Sequence, residues 1–342
     1  MERSLTTLAP SIALPVTEKS QVGEARREVT RLATEIGFSA DDCARVGLII
    51  TELGTNLAKH ARNGELLARS IANEGGVGLA IYSIDRGPGM RNIEECQGDG
   101  FSTAGSSGIG LGMLKRQSTT FQIYSLEQVG TIIAVTVTPA KLQPVAPNGF
   151  EIGLITAPAP GETACGDAVV IVRHGAAITC MMADGLGHGP NAAEASDEAV
   201  RIARKNPSMN PGDLMTAIND ALKKTRGAAV AITRIDTQSR QFSFCSVGNI
   251  ATSLVRYGAS KTLPSGNGIV GHIMPRIENV VMPWTGQDLL VMHSDGLHTH
   301  TKTYNQPGLL VRPAPIIAGM LYGQQKRGRD DASVLVVRAL EL

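Results

Sequence analysis

Three acidic turns, each set at the end of an apolar run, constrain the fold of this chain more than any other feature. The first, Ala183-Asp184-Gly185-Leu186-Gly187-His188-Gly189, follows the apolar residues 176–182. A run of that length reads as a strand, so Asp184 falls at a strand end with its carboxylate free to bind a hard cation. Gly185, Gly187 and Gly189 let the backbone approach such an ion, which makes the Gly185 carbonyl a further candidate ligand. An Asp-Gly turn between two strands is also common without any function. Repetition weakens that plain reading. Asp295-Gly296 follows the apolar residues 289–292, and Asp330-Asp331 directly precedes an apolar strand over 333–337. Three such turns can converge on one or two divalent ions.

A chain of 342 residues is expected to form about two domains, each large enough for its own core. A net charge of +1 with 18% charged residues gives no footprint for nucleic acid or an anionic membrane, so neither is expected as a partner. The five cysteines, Cys43, Cys96, Cys165, Cys180 and Cys245, are odd in number and far apart, and they read as buried thiols of a reducing cytoplasm. Pro10 and Pro15 break the mildly apolar N-terminal stretch, and no run reaches the roughly 18 residues a membrane span needs. A cytoplasmic protein is expected.

In the N-terminal half, residues 11–17 read as an edge strand and Ser20 as the cap of a helix with Val22, Ala25, Val29, Leu32 and Ile36 on one face, ended by Gly37. Ser39, with Asp42 three residues on, starts a second helix that runs to about Ala61. Glu52 and Asn56 share a face of it, with His60 one turn further. A carboxylate and an amide so placed suit a base and a Mg²⁺ ligand, although exposed helices often offer such pairs. Strands over 65–72 and 77–84 follow, the second ending at Asp85-Arg86-Gly87-Pro88-Gly89-Met90. An aspartate there can accept a hydrogen bond from an adenine amino group, with Gly87 and Gly89 leaving room for the ring. Gly108-Ile109-Gly110-Leu111-Gly112 then opens a helix to about Ser118, where backbone N–H groups and the helix dipole suit phosphate. Each box alone is weak, and their order makes them strong. Strands over 121–125 and 131–138 complete a helix layer on a mainly antiparallel sheet.

These boxes, over about residues 17–138, resemble the GHKL family of ATP-binding domains, and within it the small serine kinases of the RsbT and RsbW kind. The stretch from Phe101 to Met113 is most similar to the RsbT kind. The resemblance implies Glu52 as catalytic base, Asn56 as Mg²⁺ ligand, Asp85 as adenine contact with Gly87 and Gly89 beside it, and Gly108, Gly110 and Gly112 as the phosphate loop for ATP. The first histidine is His60, so no phosphoacceptor histidine precedes the site as a sensor kinase would need, and the domain is too short for the gyrase or chaperone branches.

A proline-rich linker over 139–149 separates a domain at 1–138 from one at 150–342. The second half reads as strands over 150–156, 167–173 and 176–183, helices over 191–205 and 213–224 with Asn210-Pro211 as cap and first position, then strands over 228–236, 241–247, 251–257 and 288–294, a helix over 314–322 and a last strand. Paired strands around a central helix pair suggest an α+β sandwich. With Ser246-Val-Gly-Asn249, Gly268-Ile-Val-Gly271 and Asp330-Asp-Ala-Ser333, this half resembles the metal-dependent protein phosphatase 2C type in its SpoIIE/RsbX-like branch. The resemblance implies that Asp184, the Gly185 carbonyl, Asp295 and Asp330 hold two Mn²⁺ or Mg²⁺ ions, with Asp167 as an outer ligand. Paired ions activate water for in-line attack on phosphorus, so no protein nucleophile is required. His188 is either an acid or, as is commoner, a residue that shapes the turn. His293, His298 and His300 lack a zinc pattern. No arginine matches a phosphate clamp, nothing after Gly296 resembles a third metal site, and the helix pair over 191–224 corresponds to a stretch that acts as a switch in that branch.

The expected architecture is α+β in two domains: an N-terminal GHKL ATPase α/β sandwich and a C-terminal metal-dependent phosphatase sandwich. The expected function is a bifunctional switch that phosphorylates and dephosphorylates serine or threonine of STAS-type anti-sigma antagonists or stressosome scaffold proteins, with a sigma factor or another regulator downstream. Two other readings stay open. In one the N-terminal domain only binds nucleotide and a partner; in the other the phosphatase acts on a small signalling molecule. The resemblance also makes a homodimer plausible.

Overall fold

The computed structural model describes residues 3–5, 10–73, 76–93, 110–139, 149–256, 259–274, 276–299 and 301–340. The chain divides into two compact units, Ser11–Ala146 and, with the first ten residues, Pro147–Leu342. Strand β1 (Arg3–Leu5) belongs to the second of these, where it pairs antiparallel with the strand Asp167–His174.

The unit Ser11–Ala146 runs β2 (Ile12–Pro15), α1 (Lys19–Glu35), α2 (Ala40–His60), β3 (Glu65–Asn73), β4 (Gly76–Ile84), α3 (Gly110–Gln117), β5 (Thr120–Leu126) and β6 (Gly130–Val137). Its strands form one antiparallel sheet in the order β2-β3-β4-β6-β5. Ala25, Val29 and Ala33 of α1 and Val46, Ile49, Ile50, Leu53 and Leu57 of α2 are buried with Leu66, Leu79, Ile81, Ile133 and Val135 of the sheet, which is the single-faced core that three-four spacing predicts. Ser20 is not the cap of α1. Glu18 takes that position, and its side chain and Gln21 form a reciprocal capping box. Ser39 does cap α2, its Oγ accepting from the Asp42 N–H at 3.1 Å.

The second unit contains β7 (Phe150–Ala157), β8 (Asp167–His174), β9 (Ala177–Gly185), α4 (Pro190–Lys205), α5 (Pro211–Leu222), β10 (Ala228–Asp236), β11 (Gln241–Val247), β12 (Ala251–Arg256), β13 (Ala259–Thr262), β14 (Val280–Pro283), β15 (Leu289–His293), a 3₁₀ turn (Thr301–Asn305), α6 (Ala314–Gln325) and β16 (Ala332–Ala339). One sheet has the order β1-β8-β9-β10-β11-β14 and the other β13-β12-β15-β16-β7. Their facing sides share one core, in which Trp284 is fully buried with its ring 6.1 Å from that of Phe242. Helices α4 and α5 cover the outer face of the first sheet. Helix α6 packs on β7 and β16 of the second. Strand β9 is therefore buried on both faces, which explains an uninterrupted apolar run where a half-exposed strand would alternate.

Candidate active sites

In the first unit, Glu52 and Asn56 project from α2 one turn apart, and Asn56 Nδ2 donates to Glu52 Oε1 at 3.2 Å. The first residue of α3 meets that carboxylate. A Cβ built on Gly110 would lie 1.9 Å from Glu52 Oε1, so any side chain there would displace the acid. The structure thus brings Glu52, Asn56, Gly110 and Gly112 to the N-terminal end of α3; Gly108 lies outside the described residues. Asp85 follows β4, and its Oδ1 accepts from the Gly87 N–H at 2.6 Å. Burial raises its carboxyl above the usual carboxylate range, opposed by the N–H groups of Gly87 and Thr131. The glycines of this turn have a structural reason that the sequence reading lacked. Gly89 adopts φ +72°, and a Cβ there would lie 2.2 Å from the Leu126 carbonyl oxygen, because the β5–β6 hairpin presses on the turn. His60, the last residue of α2, is exposed.

In the second unit, the three acidic turns come to one end of the sandwich. Asp167 and Asp184 are cross-strand partners on β8 and β9. Burial raises the Asp184 carboxyl most, followed by repulsion from Asp167, Asp295, Asp330 and Asp331. Asp167 is also raised by burial, against which the Ser294 and Ser333 hydrogen bonds act. Ser294 Oγ donates to Asp167 Oδ2 at 2.6 Å and accepts from the Ser333 N–H at 3.0 Å, so one hydroxyl ties the turn after β15 to the starts of β8 and β16. Asn249 Nδ2 donates to Asp295 Oδ2 at 2.7 Å, a positioning role that the Ser-Val-Gly-Asn motif alone did not reveal. Asp330 is exposed, whereas Asp331 is buried: its Oδ1 accepts from the Ala159 N–H at 2.8 Å and its Oδ2 from the Gly166 N–H at 2.7 Å. The acidic pair thus splits into one outward carboxylate and one clamp on the β7–β8 loop. Asp331→Ala would leave two N–H groups unpaired, and it should lower the stability of this unit by roughly 2–6 kcal/mol, read as a fall in its calorimetric transition.

The donor set suits a hard divalent cation. All the gathered carboxylate donors are oxygens, and among the described residues the buried Asp167 Oδ1 has no hydrogen-bond partner. Among the described residues no three His, Cys, Asp or Glu side chains close on a single point. Asp167, Asp295, Asp330 and Asp331 each repel the Asp184 carboxylate, a repulsion that a divalent cation among them would relieve. The histidines are peripheral. His188, with its side chain 72% exposed, sets Nδ1 3.0 Å from Glu162 Oε1. His293 is buried with Nδ1 2.9 Å from the Ser294 carbonyl oxygen and held below its ordinary pKa by burial. His298 is exposed, and His300 lies outside the described residues.

Because the Asp167 and Asp184 carboxyls are raised, the folded ion-free unit binds more protons than the unfolded chain. Its stability should fall as pH rises through neutrality. Thermal unfolding with chelator at about pH 5.5 and pH 8 is expected to give the lower transition at pH 8 and a larger upward shift with Mn²⁺ there. A transition that rises with pH would contradict the shared acidic centre.

Residues 15–137 match the histidine kinase-like ATPase domain family, and residues 174–340 match the family described as Stage II sporulation protein E. The serine/threonine-protein kinase RsbT of Bacillus subtilis (strain 168) is 38% identical over 109 residues, which are 32% of this chain and 82% of that protein. The chain belongs to the RsbT-like kinase family through its N-terminal half. Its C-terminal half is a SpoIIE-type phosphatase domain of the protein phosphatase 2C fold. The phosphoserine phosphatase RsbX of the same organism is 27% identical over 139 residues, 40% of this chain and 70% of that protein. A solved chain from work on the bacterial stressosome, described as a modular system adapted to control secondary messenger signalling, is 27% identical with a TM-score of 0.52, covering 56% of this chain and 100% of its own. The RsbT-like and SpoIIE-type halves correspond to the two structural units. Among the described residues no helix is long and apolar enough to cross a membrane.

Proposed function

We propose that this protein is a cytoplasmic bifunctional switch that uses ATP to phosphorylate serine or threonine of a STAS-domain or stressosome scaffold protein and removes the same phosphate at its second site. The observation that carries the reading is the presence, in one chain, of a Glu52–Asn56 pair set against the first residue of α3 and of a five-aspartate centre at the end of a two-sheet sandwich. The RsbT and stressosome likenesses support the choice of partner.

In the RsbT-like half, Asn56 would hold the nucleotide's Mg²⁺, Asp85 would accept from the adenine amino group, and the N–H groups at the start of α3, with Gly108, Gly110 and Gly112, would receive the phosphates. Glu52 takes the proton from the partner's hydroxyl as that oxygen bonds to the γ-phosphorus and the bond from that phosphorus to the β–γ bridging oxygen breaks, so that ADP leaves. In the SpoIIE-type half, Asp184, the Gly185 carbonyl, Asp295 and Asp330 would hold two Mn²⁺ or Mg²⁺ ions, with Asp167 behind them. When bound, such ions would supply an activated water and neutralise the phosphoryl oxygens. Ser294 and Asn249 keep the Asp167 and Asp295 carboxylates aimed at the ions, and Asp331 holds the loop that carries Gly166 beside them. Release of inorganic phosphate from a phosphorylated STAS-domain protein, with Mn²⁺ and then with chelator, tests the second site. Release that persists in chelator would contradict the metal assignment.

A further inference from the structure

The turn between α5 and β10 places a cation beside the Asp184 turn. The Leu186 N–H donates to the Gly227 carbonyl at 3.1 Å, which brings Thr225-Arg226-Gly227 alongside Asp-Gly-Leu-Gly-His-Gly. A Cβ built on Gly187 would lie 3.3 Å from Arg226 Nη1, so the guanidinium rests over the backbone of that turn. The Arg226 turn is itself pinned. The Thr225 N–H and Oγ1 both donate to the Leu222 carbonyl, at 2.9 and 2.8 Å, the Gly227 N–H donates to Thr225 Oγ1 at 3.0 Å, and His272 Nε2 lies 3.1 Å from the Thr225 carbonyl oxygen. Arg226 is exposed, and among the described residues its guanidinium makes no hydrogen bond or ion pair.

A rigid turn that holds an unbonded guanidinium against the backbone of the turn after Asp184 is poorly explained by neutralisation of the carboxylates. An arginine with that role would be bonded to one of them, as Arg256 is bonded through two nitrogens to Asp288 elsewhere in this unit. Its five donors are instead available to a planar or tetrahedral oxyanion. We propose that Arg226 binds the phosphate of the phosphoserine or phosphothreonine substrate, holding its oxygens over the Asp184 turn while the ester is cleaved. The assignment rests on the phosphatase reading of this half and adds to it the residue that selects a phosphate dianion. No sequence motif marks it, because the turn after α5 and the turn after β9 meet only in the fold.

Two readouts test this on the full chain loaded with Mn²⁺: hydrolysis of a phosphoserine peptide, and calorimetric binding of inorganic phosphate. In Arg226→Ala, KM for the peptide and the dissociation constant for phosphate should both rise about 10- to 100-fold, as expected for loss of charge-assisted hydrogen bonds. The Mn²⁺-induced rise in the thermal transition should be unchanged, and Arg226→Lys should recover only part of the affinity, since lysine lacks the fork. Arg226→Gln, close in length and neutral, serves should the alanine variant unfold. Phosphate affinity and KM within about twofold of the unaltered protein, in a variant that still responds to Mn²⁺, would overturn the assignment. Failure of the unaltered protein to hydrolyse the peptide would sink the phosphatase reading instead, and phosphate binding would still decide the role of Arg226.

Discussion

Asp184→Asn should reduce Mn²⁺-dependent phosphate release by about 10³-fold or more, at least ~4 kcal/mol of transition-state stabilisation. Asp184 is the next-to-last residue of β9, faces Asp167 across the β8–β9 pair, and feels Asp295, Asp330 and Asp331 as well. Asparagine keeps the shape and removes the charge that two cations need. The same change should raise the stability of the ion-free unit at neutral pH, because burial first and then the neighbouring carboxylates disfavour the Asp184 charge, which asparagine does not carry. Loss of activity joined to a gain in apo stability separates a ligand from a merely structural residue, whose removal would lower both. Phosphotransfer by the other half should be unaffected.

Glu52→Gln should lower phosphotransfer from ATP to the partner by about 10²- to 10⁴-fold while ATP still binds, since a general base contributes on that order. Glutamine preserves the contact with Asn56 and the fit against Gly110. Equilibrium nucleotide binding and single-turnover phosphotransfer, measured on the same protein, check this. Unchanged transfer would mean that Glu52 is no base. ATP binding without transfer in the unaltered protein would leave the N-terminal half as a nucleotide-dependent binding module.

The acidic turns were legible because their chemistry is local: an apolar run, an aspartate and a glycine suffice to place a carboxylate at a strand end, as Asp184 and Asp295 are placed. Helix faces were legible for the same reason, and Ser39 showed its capping role three residues ahead of Asp42. Ser20 misled because Glu18 also caps, through a reciprocal contact with Gln21 that a serine-first reading overlooks. The strands not anticipated, β1, β13 and β14, all lie at sheet edges. They are short, β13 is polar and β14 ends in Pro283, so none carries an apolar core run. The division of labour between Asp330 and Asp331, the hold of Asn249 on Asp295, and the approach of Arg226 to Gly187 are tertiary facts with no local signature. Gly87 and Gly89 looked like space for a ring, and the structure also shows backbone pressing close on both.

The most direct test of two opposed sites in one chain is the intact mass of a STAS-domain partner incubated with this protein under two conditions. The Asp184→Asn protein with Mg²⁺ and ATP should add one phosphate to unmodified partner. The unaltered protein with Mn²⁺ and no ATP should remove it from phosphorylated partner. A partner whose mass changes in neither condition would contradict the account.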